Sequence, residues 1–167
     1  MSPAAQPLSA PEGQAPAYPW LKRYPAGVDW NTGLVPQAVY GLLESAVQKY
    51  PTRPCTNFLG KTLTYREIGE RAAQAAAGLK ALGVRKGTCV GLFLPNSPTY
   101  LIYYYGILRA GGTVVNYNPL YTLEELTFQL RDSQTELLVT LDLKLLFDKV
   151  EALLAAGAKH TIITQVV

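Results

Sequence analysis

The sequence has little histidine and little cysteine, and these shortages exclude several kinds of site. His160 is the only histidine, so the chain cannot build a histidine zinc cluster. A serine triad is excluded as well, because no G-x-S-x-G motif is present. Cys55 and Cys89 fall on separate predicted strands and cannot make a disulfide framework. We expect two reduced thiols and a surface or capping histidine.

Charge is also scarce. Asp, Glu, Lys and Arg make up 16% of the chain, against about 25% in typical soluble domains. The net charge is +3 and no basic run exceeds two residues, which argues against a nucleic-acid-binding protein. Low charge indicates either a heavily buried sheet or a face that meets a partner, such as further protein or a membrane surface.

Long apolar runs and a leader sequence are missing too. The longest apolar stretch, at about 100–108, is too short for a bilayer, which needs about 20 residues. The first 20 residues carry five prolines and lack the basic and apolar regions of a signal peptide. We therefore expect a cytoplasmic protein, with peripheral contact to a membrane as an open alternative.

The composition divides the chain into two parts. Residues 1–35 are interpreted as a disordered tail, ending near residue 19, and a turn-rich surface strap that contains Trp20 and Trp30. Residues 36–167 carry 3.6-residue and strand-like apolar patterns and are interpreted as one α/β subdomain. The full length of 167 residues suits one domain with a real core.

Within 36–167 the pattern alternates between helices and strands. A helix at 36–50, with Pro36 in its first position, precedes a hairpin that turns at Gly60. Capping boxes at Thr64 and Thr122 start two further helices, and Asp142 is predicted to start the last one. The predicted strands are 88–94, 113–116, 136–140 and 161–164. The predicted fold class is α/β, an open and mostly parallel sheet with helices on both faces, incomplete because no helix follows the last strand.

Two segments of the sequence have competing interpretations. The aromatic run at 100–105 includes three consecutive tyrosines, of which we expect at least one buried and one partly exposed; packing is favoured over ligand stacking. The segment 116–119 follows a strand at its carboxyl end, where parallel sheets bind ligands. It is either a binding loop or a connection to the next helix.

Four segments together resemble the adenylate-forming superfamily. The sequence Leu-Thr-Tyr-Arg-Glu-Ile at 63–68 resembles its first core motif, and Leu-Arg-Ala-Gly-Gly-Thr-Val-Val-Asn-Tyr-Asn-Pro at 108–119 resembles its second. The segments at 83–90 and 94–98 are similar to the family's usual connections between them. The family-motif positions, which we interpret as structural, are Leu63, Thr64, Tyr65, Glu67, Arg109, Ala110, Gly111, Asn116 and Pro119.

The resemblance is strongest to AMP-forming acyl-CoA synthetases of the long-chain fatty acid–CoA ligase type. It implies that a full-length member joins a fatty or other carboxylic acid to CoA, using ATP and Mg and releasing AMP and pyrophosphate. It also implies that the phosphate loop, magnesium ligands and catalytic lysine come later in the chain. We therefore predict no catalytic, cofactor-binding or metal-binding residue here, and an inactive N-terminal fragment that lacks the C-terminal part of its own fold.

Two alternatives remain open. The first is a non-enzymatic, stand-alone α/β module derived from the same fold, and the second is an independent flavodoxin-like ligand-binding domain. A Ser/Thr/Gly-rich loop with a lysine in the downstream sequence would favour the synthetase. Binding of nucleotides or flavins by the chain alone would favour the flavodoxin-like domain.

Overall fold

The computed structural model describes residues 18–29, 32–33 and 35–156, and the backbone of 161–165. Most of the predicted disordered tail, Trp30, Gly157 and His160 lie outside the described residues. The chain divides into two compact units, 1–36 and 37–167. In the first unit, Pro19–Arg23 forms a short 3-10 helix with exposed side chains, and Tyr18 stacks on Trp20 with ring centroids 4.7 Å apart. The surface strap stays a prediction.

The second unit alternates helices and strands as the sequence pattern predicts. Its helices are α1 Tyr40–Lys49, α2 Tyr65–Ala81, α3 Pro98–Ala110, α4 Leu123–Asp132 and α5 Lys144–Ala155. Its strands are β1 Pro54–Phe58, β2 Lys61–Thr64, β3 Cys89–Phe93, β4 Thr113–Asn116, β5 Leu137–Leu141 and β6 Thr161–Gln165. Within the described residues, no helix is long and apolar enough to cross a bilayer.

The strands β3 to β6 form one parallel sheet in the order β4-β3-β5-β6. This confirms the predicted parallel α/β fold. The two central strands carry buried side chains almost throughout, whereas β4, at an edge, is only half-buried. Continuous apolar sequences in β3 and β5 follow from this position, because helices cover both faces of a central parallel strand.

The strands β1 and β2 form a separate antiparallel pair. Leu59 and Gly60 connect them, with φ angles of 50° and 79°. Positive φ at both central residues is typical of the type I′ turn, whose twist matches that of the flanking strands. The predicted hairpin at Gly60 is confirmed.

Helix α2 begins with the predicted capping box. The Thr64 amide donates to Glu67 Oε2 at 2.7 Å, and the Glu67 amide donates to Thr64 Oγ1 at 3.3 Å. The bond from the Thr64 backbone amide, and then that from its hydroxyl, lowers the pKa of the Glu67 carboxyl. Ile68, Ala72, Ala76 and Leu79 are buried along α2, whereas Leu82 is 53% exposed. Leu82 follows the last helical residue, where Gly83 turns the chain with φ 92°.

We expect Thr64→Ala to lower the free energy of unfolding by about 1 kcal/mol, because the first turn of α2 loses its side-chain cap. Thr64→Ser is the matched control, since it keeps the accepting hydroxyl. Urea denaturation of the 167-residue chain measures both. Equal free energies of unfolding of the alanine and serine variants would show that the side-chain cap does not stabilise the chain.

Two helices begin later than the sequence predicts. Helix α1 starts at Tyr40 rather than Pro36, and its N-cap residue, Val39, makes no side-chain cap bond. Helix α5 starts at Lys144 rather than Asp142, after an extended Leu143 that also gives no side-chain cap. Without a side-chain acceptor at the N-cap, tertiary packing sets the start of a helix and the local sequence gives no clear signal.

The main core surrounds β3 and β5, and a second cluster joins α1, α2 and the hairpin. Helix α3 packs against α2 and also against β3 and β4. Tyr103, Tyr104 and Tyr105 are all half-buried. The expectation of at least one buried tyrosine is therefore wrong, and that of at least one partly exposed tyrosine is confirmed. Each lies on a part of α3 that neighbouring elements cover incompletely. The rings of Tyr104 and Tyr105 meet edge-on, with their centroids 5.3 Å apart.

Candidate functional site

The sheet order creates a switch point between β3 and β5. From β3 the chain crosses to β4 on one side, and from β4 it returns to β5 on the other side. Open parallel sheets bind ligands in the crevice outside the carboxyl ends of the strands at such a point. Here the two ends are joined by a buried hydrogen bond from Thr140 Oγ1 to the Phe93 carbonyl, 3.2 Å.

The segment 116–122, here called the edge loop, begins with the last residue of β4 and lies at the same edge. Its first residue, Asn116, is held from two helices. The Tyr100 hydroxyl of α3 donates to Asn116 Oδ1 at 2.9 Å, and Gln129 Nε2 of α4 donates to the Asn116 carbonyl at 2.9 Å. Burial is the main cause of the raised pKa of Tyr100, so this hydroxyl stays protonated and can donate at neutral pH.

The far end of the edge loop is held by Lys149 of α5. Its Nζ donates to the Tyr121 carbonyl at 2.6 Å and to the Pro119 carbonyl at 3.4 Å. The ammonium also lies 5.9 Å from the centroid of the Phe93 ring, at the end of β3. Lys149 therefore links three segments that meet at the carboxyl edge.

Tyr117 anchors the middle of the edge loop in the core. Its side chain is 3% exposed, and its hydroxyl lies 2.8 Å from Ser133 Oγ and 2.7 Å from Thr135 Oγ1. Burial raises the pKa of Tyr117, although the two hydroxyl contacts partly oppose this. A buried and hydrogen-bonded tyrosine cannot stack on a ligand, so Tyr117 serves to anchor the edge loop.

The family-motif positions of the first segment lie in β2 and the first turn of α2. Leu63 is buried on β2, Thr64 and Glu67 cap α2, and Tyr65 is half-buried in the first turn. Their contacts serve the start of one helix and the second hydrophobic cluster.

Three of the five positions of the second segment lie at the end of α3. Arg109 Nη1 pairs with Glu44 Oε1 of α1 at 3.4 Å on the surface, and Ala110 is buried. Gly111 takes a left-handed φ of 93° at the end of α3. Asn116 and Pro119 lie in the edge loop. The structure thus divides the motif positions among a helix start, a helix end and the edge loop, and does not gather them into one site.

The described residues contain no group of three His, Cys, Asp or Glu side chains able to hold a metal ion. Throughout the printed sequence, G-x-x-x-x-G-K-[ST] and G-x-G-x-x-G loops are absent. The carboxyl edge of the sheet contributes a loop that hydrogen bonds hold in position. We assign no reaction step to the side chains at this edge.

The sequence interpretation missed Gln129, Lys149 and the hydroxyl pair of Ser133 and Thr135. Each bonds to a group 13 or more residues away. No local pattern marks such pairs, because they depend on the order of the strands. The only available signal was the polar character of residues 116–122, which follow a strand. It indicated a loop that hydrogen bonds could hold in place.

The parallel sheet with helices on both faces and an ordered loop at its carboxyl edge is a doubly wound α/β fold of the kind that binds ligands at this edge. The AMP-binding enzyme family matches residues 43–167, and the chain belongs to this family.

The curated relatives include long-chain-fatty-acid–CoA ligases. That of Bacillus subtilis is 42% identical over 125 residues, covering 75% of this chain and 22% of the relative. That of Haemophilus influenzae is 35% identical over 150 residues, covering 87% of this chain and 26% of the relative. The chain thus spans about a quarter of these relatives or less.

Among solved structures, the anthranilate CoA ligase AuaEII in complex with anthranoyl-AMP superposes with a TM-score of 0.72. The match covers 78% of this chain and 26% of that one, at 24% sequence identity. At this identity the likeness shows the fold alone.

Proposed function

We propose that this chain is the first subdomain of an AMP-forming ligase that joins a long-chain fatty acid to CoA. In the complete reaction the fatty carboxylate attacks the α-phosphate of ATP and releases pyrophosphate. The CoA thiol then attacks the acyl-adenylate and releases AMP. The role of the 167 residues is to form one wall of the site and to fix the edge loop.

The observation that carries this proposal is the 42% identity to the Bacillus subtilis ligase over 125 residues. Membership of the family supports ATP as the activating substrate, and the names of the relatives support a fatty acid as the acid. The edge loop supports a positioning role at a ligand-type edge, because Lys149 and Gln129 donate to its backbone carbonyls and Tyr100 donates to the Asn116 side chain.

A chimera tests this proposal. In the Bacillus subtilis ligase, the segment aligned with residues 43–167 is replaced by those residues of this chain. We expect ATP-dependent formation of palmitoyl-CoA within about 100-fold of the parent rate, since the grafted residues supply packing rather than reacting groups. The parent ligase is the positive control.

A matched chimera carrying Lys149→Met separates positioning from folding. We expect a cooperative thermal transition like that of the first chimera, but a lower kcat, because the edge loop loses two backbone contacts. A first chimera that unfolds cooperatively yet forms no palmitoyl-CoA would contradict the proposed function and favour the non-enzymatic module.

A further inference from the structure

Residues 57–62, here called the hairpin tip, form the outer end of the β1–β2 hairpin. All of them are exposed, whereas Leu63 is buried and Cys55 is half-buried nearer the base of the hairpin. An added Cβ at Gly60 would meet no atom within 4 Å. Because β1 and β2 are also separate from the parallel sheet, the hairpin tip extends away from the main core into open space.

Leu59 is an unfavourable residue for its place in the hairpin tip. Its φ of 50° lies in the left-handed region, which leucine rarely adopts and which asparagine or glycine usually occupies in a type I′ turn. Its side chain is 86% exposed, so packing within the described part of the chain does not compensate for the strain. Phe58 beside it is also exposed. Exposed apolar side chains on a strained turn indicate a surface that another molecule covers.

The net positive charge of the chain is concentrated around this hairpin. Of the 15 basic and 12 acidic residues, five basic and two acidic ones lie within 49–71, which leaves ten of each elsewhere. Hydrogen bonds from Thr64 are the main cause of the lowered pKa of Glu67, and the nearby cations Arg71 and Lys61 lower this pKa further. One carboxylate that already accepts two hydrogen bonds cannot neutralise both exposed cations. The surroundings of the hairpin tip therefore stay positive.

We propose that the hairpin tip docks on an anionic lipid surface. Phe58 and Leu59 enter the boundary between head groups and acyl chains, while Lys61 and Arg71 stay at the level of the phosphates. Apolar side chains flanked by cations suit this boundary, because burial of the apolar surface and attraction to anionic lipids act together. This docking goes beyond the proposed reaction, since it involves neither ATP nor the edge loop.

The first test is co-sedimentation of the 167-residue chain with phosphatidylcholine vesicles that contain about a third phosphatidylglycerol. We expect saturable binding by the unmodified chain, and at least about fivefold weaker binding by Leu59→Asn, which removes apolar surface from the hairpin tip. Asparagine followed by glycine is a preferred pair in a type I′ turn. We therefore expect this variant to unfold at an equal or higher urea concentration, so that a folding defect cannot explain its weaker binding.

The matched control is Leu145→Asn on α5, which makes the same chemical change at a side chain that is 66% exposed. Helix α5 packs against α4 and β5, whereas the hairpin packs against α2. We expect the control to bind vesicles within about twofold of the unmodified chain. Absence of binding by the unmodified chain, or equal losses in the two variants, overturns the proposal.

The second test concerns the two cations. We expect the double variant Lys61→Gln/Arg71→Gln to bind the anionic vesicles at least about fivefold more weakly, because it loses the attraction to the head groups. Arg131→Gln, at an exposed position of α4, is the charge control. Added salt is expected to weaken binding of the unmodified chain more than binding of the double variant. Equal binding by the double variant and Arg131→Gln contradicts the role assigned to the cations.

The chimera described above distinguishes a lipid surface from a further part of the ligase fold as the molecule that covers the hairpin tip. We expect Leu59→Asn to leave the thermal midpoint of the chimera unchanged or higher, and to weaken its binding to the vesicles. A lower midpoint would mean that Leu59 packs against protein, and the proposal would be wrong. Formation of palmitoyl-CoA is measured without vesicles, so failure of the lipid surface and failure of the proposed function are told apart.

Discussion

Replacing Gly91 by valine is expected to lower the free energy of unfolding by about 3 kcal/mol or more, the upper range for overpacked cores. Gly91 lies in the centre of β3, and an added Cβ would stand 2.6 Å from Tyr117 Cε2 and 2.7 Å from Leu138 Cδ1. Neither neighbour can retreat easily. The Tyr117 hydroxyl is held by two other hydroxyls, and Leu138 is completely buried. Urea denaturation of the 167-residue chain measures the loss.

Two controls show whether the cause is steric. Gly78→Ala adds a methyl group in open space and is expected to stabilise the chain by about 0.5–1 kcal/mol. The double variant Gly91→Ala/Tyr117→Ala is expected to lose less than the sum of its single changes, because removing the ring makes room for the new methyl group. Strict additivity in the double variant would refute the contact between Gly91 and Tyr117 as the cause.

The second large effect is expected for Phe93→Ala, at about 3–5 kcal/mol. Phe93 ends β3 and is completely buried, so the truncation leaves a cavity between the sheet and its helices. Lys149 also lies near the ring, and the cavity would loosen the link between α5 and the edge loop. The free energy of unfolding is again the measured quantity.

The matched control is Phe128→Ala, which deletes the same atoms from a side chain that is 70% exposed on α4. We expect a change within about 0.5 kcal/mol. Similar losses in the free energy of unfolding for Phe93→Ala and Phe128→Ala would mean that Phe93 does not lie in the core of the isolated chain.

Local signals in the sequence were sufficient for the parts of the fold that local chemistry determines. The capping boxes at Thr64 and Thr122 place the starts of α2 and α4 correctly. The same holds for the hairpin at Gly60. Each depends on hydrogen bonds or dihedral angles within a few residues, so the pattern and the structure agree.

The remaining features depend on contacts between distant residues. The starts of α1 and α5 lack side-chain caps, so their positions follow packing rather than sequence. The anchoring of the edge loop by Lys149 joins residues 28 positions apart and requires α5 to lie beside β4's end. Apolar residues that repeat every 2 or 3.6 positions identify strands and helices, so the carboxyl edge of the sheet could be anticipated. They carry no information about which strands become neighbours, so the contacts at this edge could not.

Pyrophosphate release is the most direct test of the claim that these residues form a supporting subdomain without reacting groups of their own. The purified 167-residue chain is incubated with ATP, magnesium and palmitate, and the Bacillus subtilis ligase is assayed in parallel. The account predicts release by the ligase and none above background by the chain. Turnover by the chain alone that is lost when the chain is unfolded in urea would contradict it.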